Sequence, residues 1–363
     1  MKARHGPKEK FLPHKQSFSP WQESSLIAND SSIQLPQRLG VSVPERRSCM
    51  VFRSALPCVL AGVLLLIAAT TQVSVEARQH AEQDQRGRIR SEVNLVGTLA
   101  SVLDKDGRPA LDLVQDQFEV YEEGVKQKIE IFEPETQQPL DLTLMIDSSL
   151  SEIKDLEFEA EAASRFIQKL VRPGDRLALY EFADAVTQLA PFSSSVPALQ
   201  AALKHIVPGD GTALYDAVYL GSEALARNPS GRRRVIVLVT DAGETTSRAD
   251  FETARRAALR ADALIYTIVV RVVKNEGGRN TAGEHALETI ADSTGGATYF
   301  PNTTGELGEM FDRIDRELRT QYRLGYYPNP RPPDGAYRAL EVRVHCECRV
   351  RSRKAYYTGG HLD

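Results

Sequence analysis

Cysteine is scarce in this chain, whose 363 residues include only four. So few cysteines exclude a disulfide-stapled scaffold. Cys49 and Cys58 lie beside or within an apolar segment near the amino terminus. Cys346 and Cys348 lie two residues apart in "HCEC", where a bridge between strand positions would be strained. A metal site that adds His345 lacks a second ligand pair, so we expect ordinary strand residues here.

A large excess of charge of either sign is also absent. The chain has 45 basic and 49 acidic residues, and the resulting net charge of -4 gives no reason to expect a nucleic acid partner. Apolar residues make up 42% and charged residues 26%, which is typical of a globular protein. The length is sufficient for two or three domains.

The motifs of common enzyme classes are missing. The sequence has no G-x-S-x-G turn, and none of its seven histidines stands in a motif that marks it as a catalytic base. No glycine-rich loop follows the first apolar run of the α/β region, which argues against a dinucleotide or phosphate site. We therefore expect no enzyme and no catalytic residue. A hydrolase stays a minor alternative, because a histidine distant in sequence can be near in space.

The amino-terminal region contains a long uncharged stretch. Residues 54–75 include "VLAGVLLLIAA" and carry no charge, while Arg53 precedes them. That length would just span a bilayer as a signal anchor. Alternatively, Met50 begins a cleaved signal peptide, with Val75 and Ala77 placed at the cleavage site. Both interpretations predict export, with the remainder secreted, periplasmic or anchored outside the cytoplasmic membrane of a bacterial envelope.

The composition and hydrophobic pattern change along the chain and divide it into segments. The region before the α/β part contains a hairpin signal, in which Val120 and Tyr121 precede the turn "EEG" and then "KIEIF". In chain order we predict a disordered basic tail or misassigned start (1–49), the signal peptide or anchor (50–77), a linker (78–90), a small β unit (91–137), an α/β domain (138–320) and carboxy-terminal strands that pair with the small β unit (321–363).

The α/β region alternates apolar runs with helical patterns. Val235–Val239 has no polar alternation, as expected of a strand covered on both faces. Apolar residues recur at helical spacing over 156–170, from Leu156 to Leu170. This alternation predicts a doubly wound, mostly parallel, Rossmann-like sheet with helices on both faces, flanked by strands that form a small β-sandwich.

Oxygen-bearing side chains follow several of these strands. Asp147, Ser149 and Ser151 come directly after "LTLMI", Thr212 stands in "PGDGTALYDA", and Asp241 follows "VIVLVT". Each residue alone could cap a helix or close a turn. Together they supply two carboxylates and three hydroxyls at the edge where parallel strands end. Mg²⁺ and Mn²⁺ accept such ligands, so the five residues predict a divalent cation site.

The three loops resemble those of the von Willebrand factor A domain. The resemblance is based on the motifs "DLTLMIDSSLS", "DGTALYDA" and "VIVLVTDAGE" and covers roughly residues 138–320. In that family the D-x-S-x-S loop, a threonine and an aspartate form the metal-ion-dependent adhesion site. The resemblance assigns these roles to Asp147, Ser149, Ser151, Thr212 and Asp241. The flanking segments "DQFEVYEEG" and "YRLGYYP" are similar to those of exported bacterial proteins called VWFA-related.

The third loop departs from the family pattern. Ala242 stands where the family usually has glycine, and Glu244 replaces the usual last aspartate. The resemblance nevertheless implies a bound Mg²⁺ or Mn²⁺ whose open position receives an Asp or Glu carboxylate of a partner protein. It therefore implies an adhesion or scaffold module rather than a nucleic acid binder. The alternative is a structural subunit of an envelope complex, in which the cation only stabilises the loops.

Overall fold

The computed structural model describes residues 95–134, 137–149, 156–229, 231–270 and 280–359. These residues belong to one compact unit, which spans Arg90–Asp363. The predicted tail, signal segment and linker, together with Ser151, lie outside the described residues. Among the residues that are described, no helix is both long enough and apolar enough to cross a membrane.

The described residues contain strands and α-helices that are numbered here in chain order. The strands are β1 (Val96–Leu103), β2 (Phe118–Glu122), β3 (Val125–Gln127), β4 (Ile129–Glu133), β5 (Leu140–Asp147), β6 (Arg176–Phe182), β7 (Val186–Ser193), β8 (Arg233–Thr240), β9 (Ala263–Val269), β10 (Ala297–Tyr299), β11 (Tyr322–Tyr326), β12 (Tyr337–Val344), β13 (Arg349–Ser352) and β14 (Ala355–Tyr357). The helices are α1 (Leu156–Leu170), α2 (Val196–Ala202), α3 (Leu214–Ala226), α4 (Phe251–Arg260), α5 (Thr281–Thr294) and α6 (Leu307–Arg319).

A six-stranded sheet forms the centre of the α/β region. Its strand order is β10-β9-β8-β5-β6-β7, and every neighbouring pair is parallel except β6 and β7. Every residue of β5 is buried, because helices cover both of its faces. The predicted mostly parallel sheet is therefore confirmed, and the antiparallel edge strand β7 is an addition to it.

Two hydrophobic cores lie on opposite faces of this sheet. On one face Leu144 packs with residues of α1, α2 and α6, and the rings of Phe166 and Phe311 stack with their centroids 4.4 Å apart. On the other face Met145 packs with residues of α3, α4 and α5. Because Leu144 and Met145 are consecutive, their side chains point to opposite sides of the strand. Helices cover both faces, as predicted.

Two antiparallel four-stranded sheets form a β-sandwich beside the α/β region. Their orders are β13-β1-β11-β4 and β14-β12-β2-β3, and they enclose one apolar core. Each sheet combines strands from before and after the α/β region: β1 pairs with β11 and β13, and β2 pairs with β12. Phe118 and Tyr322, one from each sheet, have ring centroids 5.0 Å apart in this core.

The expectation that Cys346 and Cys348 are strand residues is wrong. Strand β12 ends at Val344, and residues 345–348 form bends that lead to β13. The turn brings the two Cα atoms to 5.3 Å, and the thiols are joined in a disulfide. A bond that an extended strand would strain is accommodated because the chain reverses direction here.

Candidate functional site: three loops at the carboxyl edge of the sheet

The first two loops meet where β5 ends. Ser149 forms an isolated parallel bridge with Gly209, and the Gly209 N–H donates a 3.0 Å hydrogen bond to the Ser148 carbonyl. This contact needs glycine in the second loop, because a Cβ on Gly209 would lie 2.7 Å from the Ala183 Cβ. The second loop therefore approaches the end of β5 closely.

Asp147 is the most buried of the four predicted cation ligands that the structure describes. Its side chain is inaccessible to solvent. One carboxylate oxygen, Oδ1, accepts the Ser149 N–H at 3.0 Å, and the other, Oδ2, accepts the Thr240 hydroxyl at 2.6 Å. Burial raises the pKa of Asp147 to about 6, and the negative charge of Asp241 also raises it. The two hydrogen bonds lower the pKa, but by less than burial raises it. A cation at this point would favour the ionised form.

Thr212 and Asp241 face a common space. A Cβ built on Gly243 would lie 2.9 Å from Asp241 Oδ1 and 3.3 Å from Thr212 Oγ1, so both oxygens border the same point. The Gly243 N–H donates to Asp241 Oδ1 at 2.7 Å. The second and third loops are also joined through the main chain, because Thr212 N donates to Thr245 Oγ1 and Thr212 O accepts Thr245 N, both at 2.9 Å.

The departures from the family pattern in the third loop have clear local roles. Ala242 is buried and adopts a φ of 64°, a left-handed conformation that favours the glycine of the family pattern. Glu244 accepts the Tyr215 N–H at 3.1 Å and the Ser247 hydroxyl at 2.6 Å. Its carboxylate therefore binds the first turn of α3, where the helix dipole favours negative charge.

Neighbouring acidic residues hold the loops in place. Asp184 accepts the Asp210 N–H at 2.9 Å in the second loop. Asp216, in the first turn of α3, accepts the N–H groups of Arg248 and Ala249 at 3.1 and 2.8 Å. Both carboxylates accept hydrogen bonds from main-chain N–H groups of the loops.

One contact at the site had no signal in the sequence. A Cβ on Gly283 would lie 2.0 Å from the Ala242 carbonyl oxygen, so α5 packs directly on the third loop. Gly283 lies next to the amino end of its helix, where its N–H is capped by Asn280 Oδ1 at 3.0 Å. Glycine is common near the start of a helix, so the sequence alone does not indicate that Gly283 packs against Ala242.

The donor chemistry of the site fits a hard cation. The described residues contain no cluster of three or more His, Cys, Asp and Glu side chains suited to a metal. The predicted set instead has two carboxylates, Asp147 and Asp241, with hydroxyls completing it. Oxygen-only ligands of low total charge match Mg²⁺ or Mn²⁺ better than a softer metal.

One protein-family model matches part of the chain. Residues 142–244 match the family model of the von Willebrand factor type A domain. That span includes every one of the five predicted ligands. No curated protein sequence matches the chain.

Several solved structures are similar in part. BatB from Bacteroides thetaiotaomicron is 16% identical with a TM-score of 0.41, over 50% of this chain and 100% of that one. The vWF domain of the pilus tip protein Mfa5 from Porphyromonas gingivalis is 13% identical with a TM-score of 0.43, over 50% and 96%. A mussel byssus protein, proximal thread matrix protein 1 with a zinc-occupied MIDAS motif, is 16% identical with a TM-score of 0.42, over 51% and 49%.

Proposed function

Residues 142–244 belong to the von Willebrand factor type A domain family, and from this premise we propose that the chain is a metal-dependent protein-binding module. In this proposal Asp147, Ser149, Ser151, Thr212 and Asp241 hold Mg²⁺, directly or through water. The cation, when bound, supplies an open coordination position that attracts an Asp or Glu carboxylate of a partner protein. The module is of the adhesion or scaffold type and performs no catalysis.

The chain's own residues prepare the site for this role. Thr240 and the Ser149 main chain orient the Asp147 carboxylate. Thr212 contributes a hydroxyl, which adds a ligand atom without adding negative charge. A cation surrounded by few negative ligands keeps its attraction for an anion from outside. The convergence of Thr212 Oγ1 and Asp241 Oδ1 on one point beside Gly243 is the observation that supports the proposal.

The loop contacts favour binding over a merely structural cation. Protein hydrogen bonds already connect the first loop to β8 through Asp147, and the second loop to the third through Thr212 and Asp216. The loops therefore have cross-links that do not depend on a metal. A cation that only stabilised the loops would add little to the stability that these hydrogen bonds provide. A cation that binds a partner carboxylate would give the loops a function that the hydrogen bonds do not supply.

The setting that we propose is outside the cytoplasmic membrane. The uncharged stretch at 54–75, with basic residues before it, is the supporting feature. The family resemblance of the flanking segments to exported bacterial proteins agrees with it. A secreted, periplasmic or membrane-anchored location would place the carboxyl edge of the sheet where partner proteins of the envelope can reach it.

Capture on a carboxylate surface tests the proposal. Full-length protein is passed over a resin that displays glutamate side chains and over a matched glutamine resin, with Mg²⁺ or with EDTA. We expect Mg²⁺ to increase retention on the glutamate resin above the level seen in EDTA. Thr212→Val should lose this increase, whereas Thr212→Ser, which keeps the hydroxyl, should show it. Equal retention of Thr212→Val and wild type would contradict the proposed site.

A further inference from the structure

A second recess lies at the opposite end of the central sheet. It is a cleft of about 820 Å³ between the amino ends of the parallel strands and the β-sandwich. Arg233 and Arg234, at the start of β8, line it, whereas Asp241 follows the end of the same strand. At about 3.3 Å per residue, the cleft and the cation site are separated by roughly 25 Å.

The lining of the cleft is strongly basic. Of the described residues, seven arginines and two aspartates line it, and no lysine or glutamate does. The chain as a whole carries a net charge of -4, so this concentration of positive charge is local. A recess lined by one sign of charge concentrates its potential and attracts ligands of the opposite sign.

Several of these arginines have no carboxylate partner among the described residues. Arg233 donates to the carbonyls of Gln138 and Leu318, and Arg234 donates to those of Asn228 and Ala261. Carbonyls satisfy hydrogen bonds but do not neutralise charge. Burial lowers the pKa of Arg233 to about 10, which still leaves the guanidinium protonated at neutral pH. The Arg234 Nε is buried without an acceptor.

Two further arginines are exposed at the mouth of the cleft. The Arg260 guanidinium lies over the Tyr357 ring, 5.1 Å from its centroid, and this cation–π contact holds it against the wall. Arg331 lies in the proline-rich turn after β11 and has no ion pair with any described residue. A planar guanidinium with free donors suits bidentate recognition of carboxylates. Three other arginines of the lining differ, because their charges are paired: Arg232 with Asp141, Arg323 with Glu133 and Arg353 with Asp262.

Among the described residues at the floor of the cleft, the first part of strand β1 has a neighbouring strand on one side only. Strand β1 pairs with β11 through Val96–Ala100, but β13 covers its other side only from Ala100 onward. The Gly97 carbonyl on that open side is bonded by the Arg353 side chain, not by a strand. A Cβ on Gly97 would meet nothing within 4 Å, so the space above it is open. An extended peptide could add its main chain here, which a nucleic acid or a saccharide could not.

We propose that this cleft is a docking site for an extended, acidic protein segment. The carboxylates of the segment would pair with Arg260 and Arg331, and its main chain would lie along the open part of β1. Tyr357 and the neighbouring prolines would pack against its apolar parts, as aromatic residues do at protein interfaces. The site is separate from the proposed cation site and does not require the metal.

Fluorescence anisotropy of the full-length protein tests this assignment. The probe is a labelled oligoglutamate of about eight residues, a typical strand length, and an oligoglutamine of equal length is the control. We expect the oligoglutamate alone to bind, with an affinity that falls as salt increases. The Arg260→Gln/Arg331→Gln double variant should weaken binding at least about tenfold.

Matched variants and competitors define the outcome. Arg343→Gln should bind as wild type does, because Arg343 also lies over a tyrosine ring, Tyr121 at 4.4 Å, but outside the cleft. Gly97→Glu should block binding, since its side chain enters the open space without a clash. Binding should persist in EDTA, and its loss there would assign it to the cation site instead. Absent binding, an equal loss in Arg343→Gln, or equal affinity for a single-stranded oligonucleotide would each overturn the proposal.

Discussion

The Thr240 hydroxyl donates a 2.6 Å hydrogen bond to Asp147 Oδ2 and thereby joins the ends of β8 and β5. The same hydroxyl oxygen accepts the Ala242 N–H at 3.0 Å. One side chain thus orients the buried carboxylate of the first loop and fixes the start of the third. Thr240 is not among the predicted cation ligands, yet their geometry depends on it.

Replacing Thr240 by valine should destabilise the fold. The substitution keeps the shape but leaves Asp147 Oδ2 and the Ala242 N–H without their partner, at a cost of about 1–3 kcal/mol in the free energy of unfolding. Urea denaturation of the full-length protein measures it. Thr240→Ser keeps the hydroxyl and should lose much less. Equal stability of the valine variant and wild type would show that this hydrogen bond does not constrain the loops.

Gly283→Ala should displace the third loop, because Gly283 in α5 packs directly against it. The added Cβ would overlap the Ala242 carbonyl, and relieving such overpacking costs about 1–3 kcal/mol. The matched control is Gly308→Ala in α6, where a Cβ meets nothing within 4 Å. That variant should be neutral or more stable by up to about 1 kcal/mol, because alanine favours the helix.

Thermal melting of both glycine variants, with and without Mg²⁺, provides the measurement. Gly283→Ala should lower the melting temperature and weaken its response to Mg²⁺, whereas Gly308→Ala should leave that response unchanged. Equal behaviour of the two would mean that α5 does not support the loop that carries Asp241.

Arg351→Met should weaken the attachment of the β-sandwich to the α/β region. The Arg351 guanidinium of β13 lies 2.8 Å from Glu317 Oε2 in α6, and Glu317 also accepts the hydroxyls of Tyr266 and Tyr299. The loss of Arg351 leaves a buried carboxylate uncompensated, which costs about 3 kcal/mol.

The exposed pair of Arg343 and Glu341 supplies the control for that prediction. Both side chains are more than half exposed, and their charged atoms lie 2.7 Å apart. Arg343→Met should cost less than about 1 kcal/mol, because solvent screens such pairs. Similar losses in the two variants, measured by urea denaturation, would contradict the idea that Glu317 is a buried junction.

The fold class was predictable because its signals are periodic and local. The uninterrupted apolar run Val235–Val239 became a buried parallel strand, and the stripe over 156–170 became α1 with Phe166 and Ile167 in the core. The hairpin signal was correct at its turn, where Glu123 and Gly124 both adopt positive φ. Its second strand, however, is the short β3, while "KIEIF" crosses to the other sheet as most of β4.

The remaining features depend on contacts between distant segments. Nothing near Gly283 in the sequence indicates the Ala242 carbonyl, and nothing near Arg351 indicates Glu317. The cleft combines arginines from β8, α4 and the carboxy-terminal strands, which no local pattern brings together. For the cation site, spacing along the chain identified the loops, but the fold was needed to show that Thr212 and Asp241 border the same point.

Titration of Mg²⁺ tests the central claim most directly. EDTA-stripped full-length protein is melted at increasing Mg²⁺ for wild type, Asp241→Asn and Asp216→Asn. Asp216 is a neighbouring carboxylate that holds main-chain donors and is not a proposed ligand. We predict a saturable rise in melting temperature for wild type and Asp216→Asn, and none for Asp241→Asn. A rise of equal size in all three variants, or no rise in any, would contradict a cation site formed by these loops.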